Sequence, residues 1–483
     1  ADAWLSVGPL LVLAARLLVG FNVRLVEKTG ESRTGYSAGF AWLLLTAAVI
    51  SSVIAVLQWL GLADSVWIHP LKPGSRPYAN IAQPNNLATL LGFGLAAVLY
   101  LFESRRVSAI VSTLFAVLII FGLALAQSRT TLIASVFIIV FWYFQSKRVS
   151  LRLTTLQLAA WLALFVIISL CIPLISELIG LSQGSIVERI QSSKRIDMYL
   201  HFIEAIKNGS WFGYGWNQSI TAQFESAHLY PPKEVTLYAH NLFLDLLVWN
   251  GPLIGSVIIV TLIVLFTKLL LAAKSLVATM CWVALSFFIV HSLFEFPYAY
   301  TFLLIPAGFM LGALLADTLI KEPVFKVNGL LVGFVSLMLA TGTAWLWYEY
   351  TVIEKEHWVA ISLLPGQEIP ASHHQQLDKV TALKHLSAYT AFISLPIDKG
   401  VDAEILDDFP VIVKRNPHFY ALLKASYILA LNERSELAYE YLIRLKYMYG
   451  EEQYDAAIRY LERKSDKQPE LLNVLKQLPK LQQ

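Results

Sequence analysis

The chain has 483 residues, of which 57% are hydrophobic and 15% charged, with a mean hydropathy of +0.59. Soluble domains carry about 25% charged residues, so composition excludes an ordinary soluble protein, and a net charge of +3 gives no ground for nucleic-acid binding. The two cysteines, Cys171 and Cys281, lie inside apolar runs without a Cys-x-x-Cys or a Cys/His cluster, so no zinc site or disulfide framework is expected and both are read as buried packing residues.

Apolar runs close to the roughly 20 residues that cross a bilayer recur along the chain. They predict an all-α polytopic membrane protein with about ten or more transmembrane helices. Ten crossings are read, at 3–22, 36–61, 86–102, 107–126, 130–145, 155–176, 242–267, 276–294, 299–319 and 327–348. Residue 1 is Ala rather than Met and lies close to the first run, so further N-terminal sequence is expected; no signal peptide with a basic start is recognisable. Orientation follows from the Lys/Arg content of the short loops. Alternate connections carry Arg24, Lys28 and Arg33; Arg105 and Arg106; Lys147, Arg148 and Arg152; Lys268 and Lys274; Lys321 and Lys326. These loops form one cytoplasmic face, since a missed crossing would break the alternation. The opposite face holds 62–85, the tight Gln127–Ser128–Arg129–Thr130 connection, the long loop 177–239, the turn 295–298 and everything after about Tyr348.

The chain thus divides into N-terminal transmembrane helices (1–176), a large outer loop (177–240), C-terminal transmembrane helices (241–348) and a helical-hairpin domain (349–483). In the loop, Ser193 is the expected N-cap, and Ile196, Tyr199, Ile203 and Ile206 follow at helical spacing. That stripe predicts an amphipathic helix lying on the bundle or at the bilayer interface, with Asn208–Gly209 as its stop. WFGYGWNQ comes next, where Gly213 and Gly215 allow tight turns. Its aromatics, Trp216 among them, read either as interfacial anchors or as flat platforms for sugars. Beyond Tyr348 the pattern turns charged and helical without a fixed period. Hairpin material lies at 417–442 and 451–461, with Ala425, Leu429, Ala438 and Leu442 as packing positions. His373 and His374 fall in a polar connector and are not read as a metal site.

Arg129 is the most informative basic residue, because it stands between two apolar runs with almost no loop around it. An arginine there snorkels, pairs or meets an anion, and its fork matches phosphate oxygens, with Ser128 and Thr130 as neighbouring hydroxyls. Arg189 and Arg195 flank the start of the loop helix, either as ordinary charged helix ends or as inward-facing anion ligands, with Arg195 preferred. Gln83 and Asn85 precede a span opened by Pro84; their amides can cap it or bind sugar hydroxyls or a diphosphate. His240 and Asn241 stand at the threshold of the span after the loop. The histidine is either an interface residue or a group that takes a proton near neutral pH. His291 and Glu295 lie one helical turn apart, where the pair would orient a ring or make a local bond. The loop has no Asp-x-Asp, which argues against a metal-dependent sugar-nucleotide transferase. The set fits displacement of a lipid diphosphate stabilised by arginines without a metal, with a histidine taking the acceptor proton.

IAQPNNLATLLGFGLAAVLY, LALAQSRTTLIAS, WFGYGWNQ, AHNLFLDLLVWNGPLIG and HSLFEFPYAYTFLLIPAGFMLG, in this order, resemble the O-antigen ligase and polymerase superfamily of bacterial inner-membrane glycosyltransferases. The branch most similar is that of the O-oligosaccharyltransferases that glycosylate pilins and other periplasmic proteins. The resemblance covers most of 79–312, and the C-terminal helical region resembles the extra domain of the protein-modifying branch. It implies a metal-independent, cofactor-free enzyme moving a preassembled glycan from undecaprenyl diphosphate to a Ser or Thr hydroxyl on the periplasmic side. His240 is then the essential histidine, and Arg129 with Arg195 or Arg189 holds the diphosphate. The family has about a dozen crossings, which again implies missing N-terminal spans. Two alternatives stand: an O-antigen ligase with a lipid A-core acceptor, and a transporter of lipid-linked sugars. QPNN and the C-terminal domain favour a protein acceptor. The absence of an internal repeat and the grouping of the residues at span ends argue against transport.

Overall fold

Within a bilayer every backbone N–H and C=O must be satisfied inside its own segment, which a helix does. The computed structural model describes residues 19, 23–24, 36–63, 65–72, 74–81, 83–180, 195–318, 329–362 and 371–477. Lys28, Arg33, Arg189, Ser193, Lys321, Lys326 and the side chains of His373 and His374 lie outside the described residues. Among those described, every element is helical apart from one bridge between Ser65 and Ile68. Helices α1 (Tyr36–Trp59), α2 (Pro84–Glu103), α3 (Ala109–Ala126), α4 (Arg129–Gln145) and α5 (Thr155–Leu178) follow the predicted crossings closely. Their starts are local chemistry. Pro84 opens the first turn of α2, Ser108 caps α3 through the Val111 N–H, and Thr154 with Gln157 forms a capping box on α5. Then come α6 (Arg195–Asn208), α7 (Ser219–Ser226), α8 (Leu242–Ala272), α9 (Leu276–Ser292), a 3-10 turn at Pro297–Ala299, α10 (Thr301–Thr318) and α11 (Gly329–Ser362).

Among the described residues, six helices are long and apolar enough to cross a membrane: α1, α2, α3, α5, α8 and α10. The expected total of ten or more is not reached. Helices α4 and α9 are apolar but only 17 residues each, and the first predicted crossing falls almost wholly outside the described residues. Helix α11 has 34 residues and runs past its predicted end at 348 to Ser362. Helix α2 runs through the middle of the bundle against α1, α3 and α9, with Leu87, Leu91, Phe93 and Leu101 buried. At Gly92 the Phe287 ring of α9 lies so close that a methyl group would sit 2.3 Å from it. Cys281 is buried in this core, whereas Cys171 is only half-buried.

One end of the bundle gathers the basic loops. Arg152 donates to Phe102 O at 2.5 Å, Arg148 donates to Leu271 O at 3.3 Å, and Asp317 at the end of α10 accepts from Arg24 at 2.6 Å and from Ser275. This is the grouping that the charge alternation predicts for those loops.

The rest of the chain forms α12 (Ala371–Asp378), α13 (Lys384–Ser394), α14 (Ala403–Arg415), α15 (Phe419–Leu431), α16 (Ser435–Tyr449), α17 (Glu451–Ser465) and α18 (Leu471–Leu475). Ala425, Leu429, Ala438 and Leu442 are buried as the spacing predicts, around Phe409, Leu422 and Leu445. Helix α7 of the loop contributes Phe224 and Ala227 to the same core. Arg444 donates to Phe224 O at 3.0 Å and Glu225 O at 2.8 Å, and Lys414 pairs with Glu225. Cations thereby meet the exposed carbonyl end of α7.

Helix α6 corrects the predicted stripe. Met198, His201, Phe202 and Ala205 face inward; of the predicted stripe, Tyr199 and Ile206 pack half-buried against this core, while Ile196 and Ile203, like Leu200, are exposed. Met198, Phe202 and Ala205 repeat at i, i+4, i+7, and so do Ile196, Leu200 and Ile203. Spacing alone therefore cannot choose the packed face.

Candidate active site

The opposite end of the bundle assembles the polar residues that begin and end its helices. Helix α8 starts where the Asn241 side chain accepts from the Phe243 and Leu244 N–H groups at 2.9 and 3.1 Å, and donates to Leu293 O at 2.9 Å. The preceding residue, His240, has φ of +53°, in the left-handed region that a histidine seldom occupies. Its Nδ1 lies 3.0 Å from Tyr238 O. A carbonyl can only accept, so Nδ1 carries the proton and Nε2 holds the lone pair of the neutral ring. Nε2 is 3.5 Å from Glu295 Oε2, and the Phe296 ring meets the imidazole edge-on with centroids 4.7 Å apart.

Glu295 is the hub. Its Oε1 accepts from Asn85 Nδ2 at 3.2 Å and from the Arg195 guanidinium, while Oε2 faces His240. The expected His291–Glu295 side-chain pair does not form, because α9 ends at Ser292 and Glu295 belongs to the following turn. Only its N–H returns to His291 O, at 2.8 Å. The His291 ring faces α2 instead, with Nδ1 2.8 Å from Thr89 Oγ1 in a fully buried position. Among the described residues, His291 Nε2 is buried there without a hydrogen-bond partner.

Arg129 is the first residue of α4 and stands within electrostatic range of both Arg195 and Glu295. Gln127, in the left-handed region at φ +48°, turns the chain from α3 into α4, and its side chain bonds Ala124 O and Ser169 O. The Ser128 and Thr130 hydroxyls lie 2.9 Å apart and bond each other, buried, rather than standing open beside the guanidinium. Arg76 donates to Ala126 O and Gln127 O at 3.1 and 3.3 Å, which puts a further guanidinium at this turn. Gln83 and Trp216 lie to the side. Gln83 Nε2 is 3.5 Å from Asn86 Oδ1, and the Trp216 ring packs against Trp249 at 5.2 Å, in the core formed by α6, α7 and the start of α8.

That core rests on a break in α8. Gly251 has φ of +76° and ψ of 168°, and Pro252 follows it. Pro252 has no N–H to give Val248 O, and the break frees Trp249 O as well. Tyr214 N–H and Gly215 N–H of the WFGYG turn take these carbonyls at 2.9 and 3.0 Å. The approach demands glycine on both sides: a Cβ on Gly251 would lie 2.0 Å from Trp211 O, and one on Gly213 would lie 2.4 Å from Gly251 N.

Sequence reasoning missed Asp245, Tyr199, Tyr238 and Phe296. Asp245 was the findable one, since a carboxylate in the first turn of an apolar helix is uncommon. Tyr199 OH donates to His240 O at 3.4 Å. Burial raises the Tyr199 phenol, and burial followed by the Asp245 charge pushes Tyr238 up to about 12, so both remain neutral hydroxyls. The arrangement sets two guanidiniums and an imidazole about one carboxylate. An anion there meets bidentate donors, and a hydroxyl at His240 Nε2 meets a proton acceptor backed by Glu295.

Residues 114–259 match the family model described as O-antigen ligase, 279–462 that of the C-terminal part of virulence factor membrane-bound polymerases, and 77–102 that of protein glycosylation ligases. The first match contains Arg129, Arg195 and His240, and the last contains Gln83 and Asn85. The chain is 29% identical over 467 residues to the general O-oligosaccharyltransferase of Acinetobacter baylyi, covering 92% of this chain and 79% of the relative. It is 29% identical over 353 residues to the ComP-specific O-oligosaccharyltransferase of the same organism, covering 72% of this chain and 62% of that relative. No solved structure matches. Matches in sequence order over the membrane helices, the loop and the C-terminal helical region, together with these two relatives, show that the chain carries an O-antigen ligase domain and is similar over most of its length to protein O-oligosaccharyltransferases.

Proposed function

We propose that the protein transfers a preassembled glycan en bloc from undecaprenyl diphosphate to Ser or Thr hydroxyls of periplasmic proteins such as pilins, without a metal. The observation that carries this reading is the convergence of Arg195, Asn85 and His240 on Glu295, with Arg129 in electrostatic range, at the end of the bundle away from the basic loops. In this reading α4, α9 and α11 also cross the inner membrane, and the site faces the periplasm.

The donor diphosphate takes the guanidiniums of Arg129 and Arg195, with Arg189 as a third ligand of the same kind. Arg195 exchanges Glu295 for a phosphate oxygen as the donor enters. The acceptor hydroxyl lies at His240 Nε2, and its oxygen attacks the anomeric carbon as the bond from that carbon to the phosphate oxygen breaks. The hydroxyl proton moves to Nε2, and the imidazolium so formed faces the Glu295 carboxylate. The arginines hold the departing lipid diphosphate. Asn85 and Gln83 line the sugar side, with Asn241 and Trp216 supporting the wall and the buried His291 behind it.

The test incubates the purified protein with lipid-linked glycan plus a pilin-like protein or lipid A-core, followed by mass spectrometry of the products. Glycan on Ser or Thr is expected, and transfer to lipid A-core alone would reassign the acceptor. His240→Ala is expected to leave a folded protein with no transfer; wild-type transfer by that variant would remove the histidine from the chemistry.

A further inference from the structure

We propose that Asp245 is a positioning residue for this reaction: it holds His240 in its working orientation through the backbone N–H of Ala239. The inference rests on the role proposed above for His240. Asp245 lies in the first turn of α8 with no solvent exposure. Its Oδ1 accepts from Ala239 N–H at 2.9 Å and from Ser219 Oγ–H at 2.5 Å, while Oδ2 accepts from the Tyr298 hydroxyl. Ser219 Oγ in turn accepts from Trp249 Nε1 at 2.8 Å, so its own hydrogen is left for the carboxylate. Every one of these groups donates toward Asp245, which a carboxylate can satisfy in full.

The residue next to the anchored Ala239 is the strained one. A left-handed conformation costs a non-glycine residue free energy and persists only where its surroundings impose it. Here Asp245 fixes Ala239, itself fully buried, and the Asn241 cap with its bond to Leu293 O fixes the other side. Between these tethers His240 is kept at φ +53°, with its ring between Tyr238 O and Glu295. Without the Ala239 tether the peptide can relax to an ordinary extended or helical conformation, which carries Nε2 away from Glu295 and from a bound hydroxyl. Asp245 also ties the loop helix α7, through Ser219, to the turn after α9, through Tyr298. It therefore links the elements that meet at the imidazole.

The test uses the full-length protein in detergent with lipid-linked glycan and acceptor protein, comparing Asp245→Ala, Asp245→Asn and His240→Ala. A displacement of about 1 Å in a reacting group costs on the order of 100-fold. Asp245→Ala is therefore expected to lower kcat about 100-fold, with KM for donor and acceptor changed less than about threefold. Asp245→Asn keeps an oxygen that can accept from Ala239, and is expected to restore kcat to within about fivefold of wild type. Hydrogen exchange in the peptide 236–244 should be fast in the alanine variant and slow in the asparagine variant. A folded Asp245→Ala protein with wild-type kcat overturns the proposal. If the alanine variant does not fold, Asp245→Asn decides: wild-type melting and slow exchange with kcat lost as fully as in His240→Ala also overturns it. A fully active His240→Ala protein would instead remove the underlying function, an outcome distinct from failure of the Asp245 variants alone.

Discussion

Glu295→Gln separates the two tasks that meet at one carboxylate. In the native site Oε2 lies 3.5 Å from His240 Nε2, with the side chains 9% and 22% exposed. At an effective dielectric of about 20, an imidazolium and a carboxylate at that distance attract by roughly 5 kcal/mol before desolvation. In the proposed donor-bound site Arg195 has turned to the phosphate, but Asn85 still donates to the carboxylate and solvent reaches part of the imidazole, which reduces the net benefit to about 2 kcal/mol. Glutamine removes that support for the imidazolium formed as the acceptor loses its proton, so kcat should fall about 30-fold. Binding of donor moves the other way. Glutamine can still accept from Asn85 but no longer neutralises Arg195, so KM for the lipid-linked donor should hold or fall. Steady-state transfer with donor and acceptor varied separately reads both quantities. An unchanged kcat, or a donor KM that rises while kcat stays at the wild-type value, would refute this division of roles.

Arg129→Lys keeps the charge but loses the planar fork. Donor KM should rise about tenfold while acceptor KM stays within about twofold, and equal donor KM in both proteins would count against a diphosphate ligand. Gly251→Ala forces a Cβ to 2.0 Å from Trp211 O at φ +76°, so it should destabilise the protein by at least about 2 kcal/mol. Lower melting together with lost transfer is expected, and a neutral result would mean that the turn does not grip the break. Lys424 has only 4% exposure, with Nζ 2.5 Å from Ile393 O, and burial lowers its amine from 10.5 to about 8. The unfolded chain therefore binds the extra proton between about pH 8 and 10.5, and stability of the helical region should rise across that window, by about 3 kcal/mol at most. Lys424→Met should abolish the rise and stabilise the region at pH 7; hydrogen exchange in α15 measures both.

Much of the helical framework could be read from local chemistry. Pro84, Thr154 with Gln157, and Asn208 mark helix ends by cap chemistry and conformational preference alone, and the Arg/Lys alternation grouped loops that do meet at one end of the bundle. Arg129, Asn85 and His240 were also legible, because a polar side chain at the end of an apolar run has few inexpensive alternatives, whereas Arg195 was legible only as a charged residue at the start of the loop helix. Glu295 was only half legible. Helical spacing tied it to His291, but its partners Asn85 and Arg195 are 210 and 100 positions away, and no local period encodes contacts across such separations. The inward face of α6 was hidden for a different reason: two apolar faces with the same spacing compete, and the neighbouring Ala222, Val248 and Trp249 decide between them.

The Gly251 break changes what it means for His240 to open a span. Read as one apolar segment, Leu242–Ala272 puts the imidazole at the mouth of a membrane helix. The break divides it, and 252–272 alone supplies roughly 30 Å of helix, enough to cross, with Leu253, Ile254, Val257 and Val260 exposed as a lipid-facing surface requires. Residues 242–250 are then a separate short helix, with Asp245, Leu246, Val248 and Trp249 buried. It is held to the turn after α9 by Asn241 and Asp245, and to the loop by Ser219, Tyr214 and Gly215. His240 is thus carried by an element braced on three sides rather than by the end of a span. A helix anchored in lipid can tilt and shift with the bilayer, whereas this support moves only if the loop, the turn and the short helix move together. In the reaction proposed above, which brings one substrate from the membrane and another from water, His240 would then be fixed to protein and not to lipid.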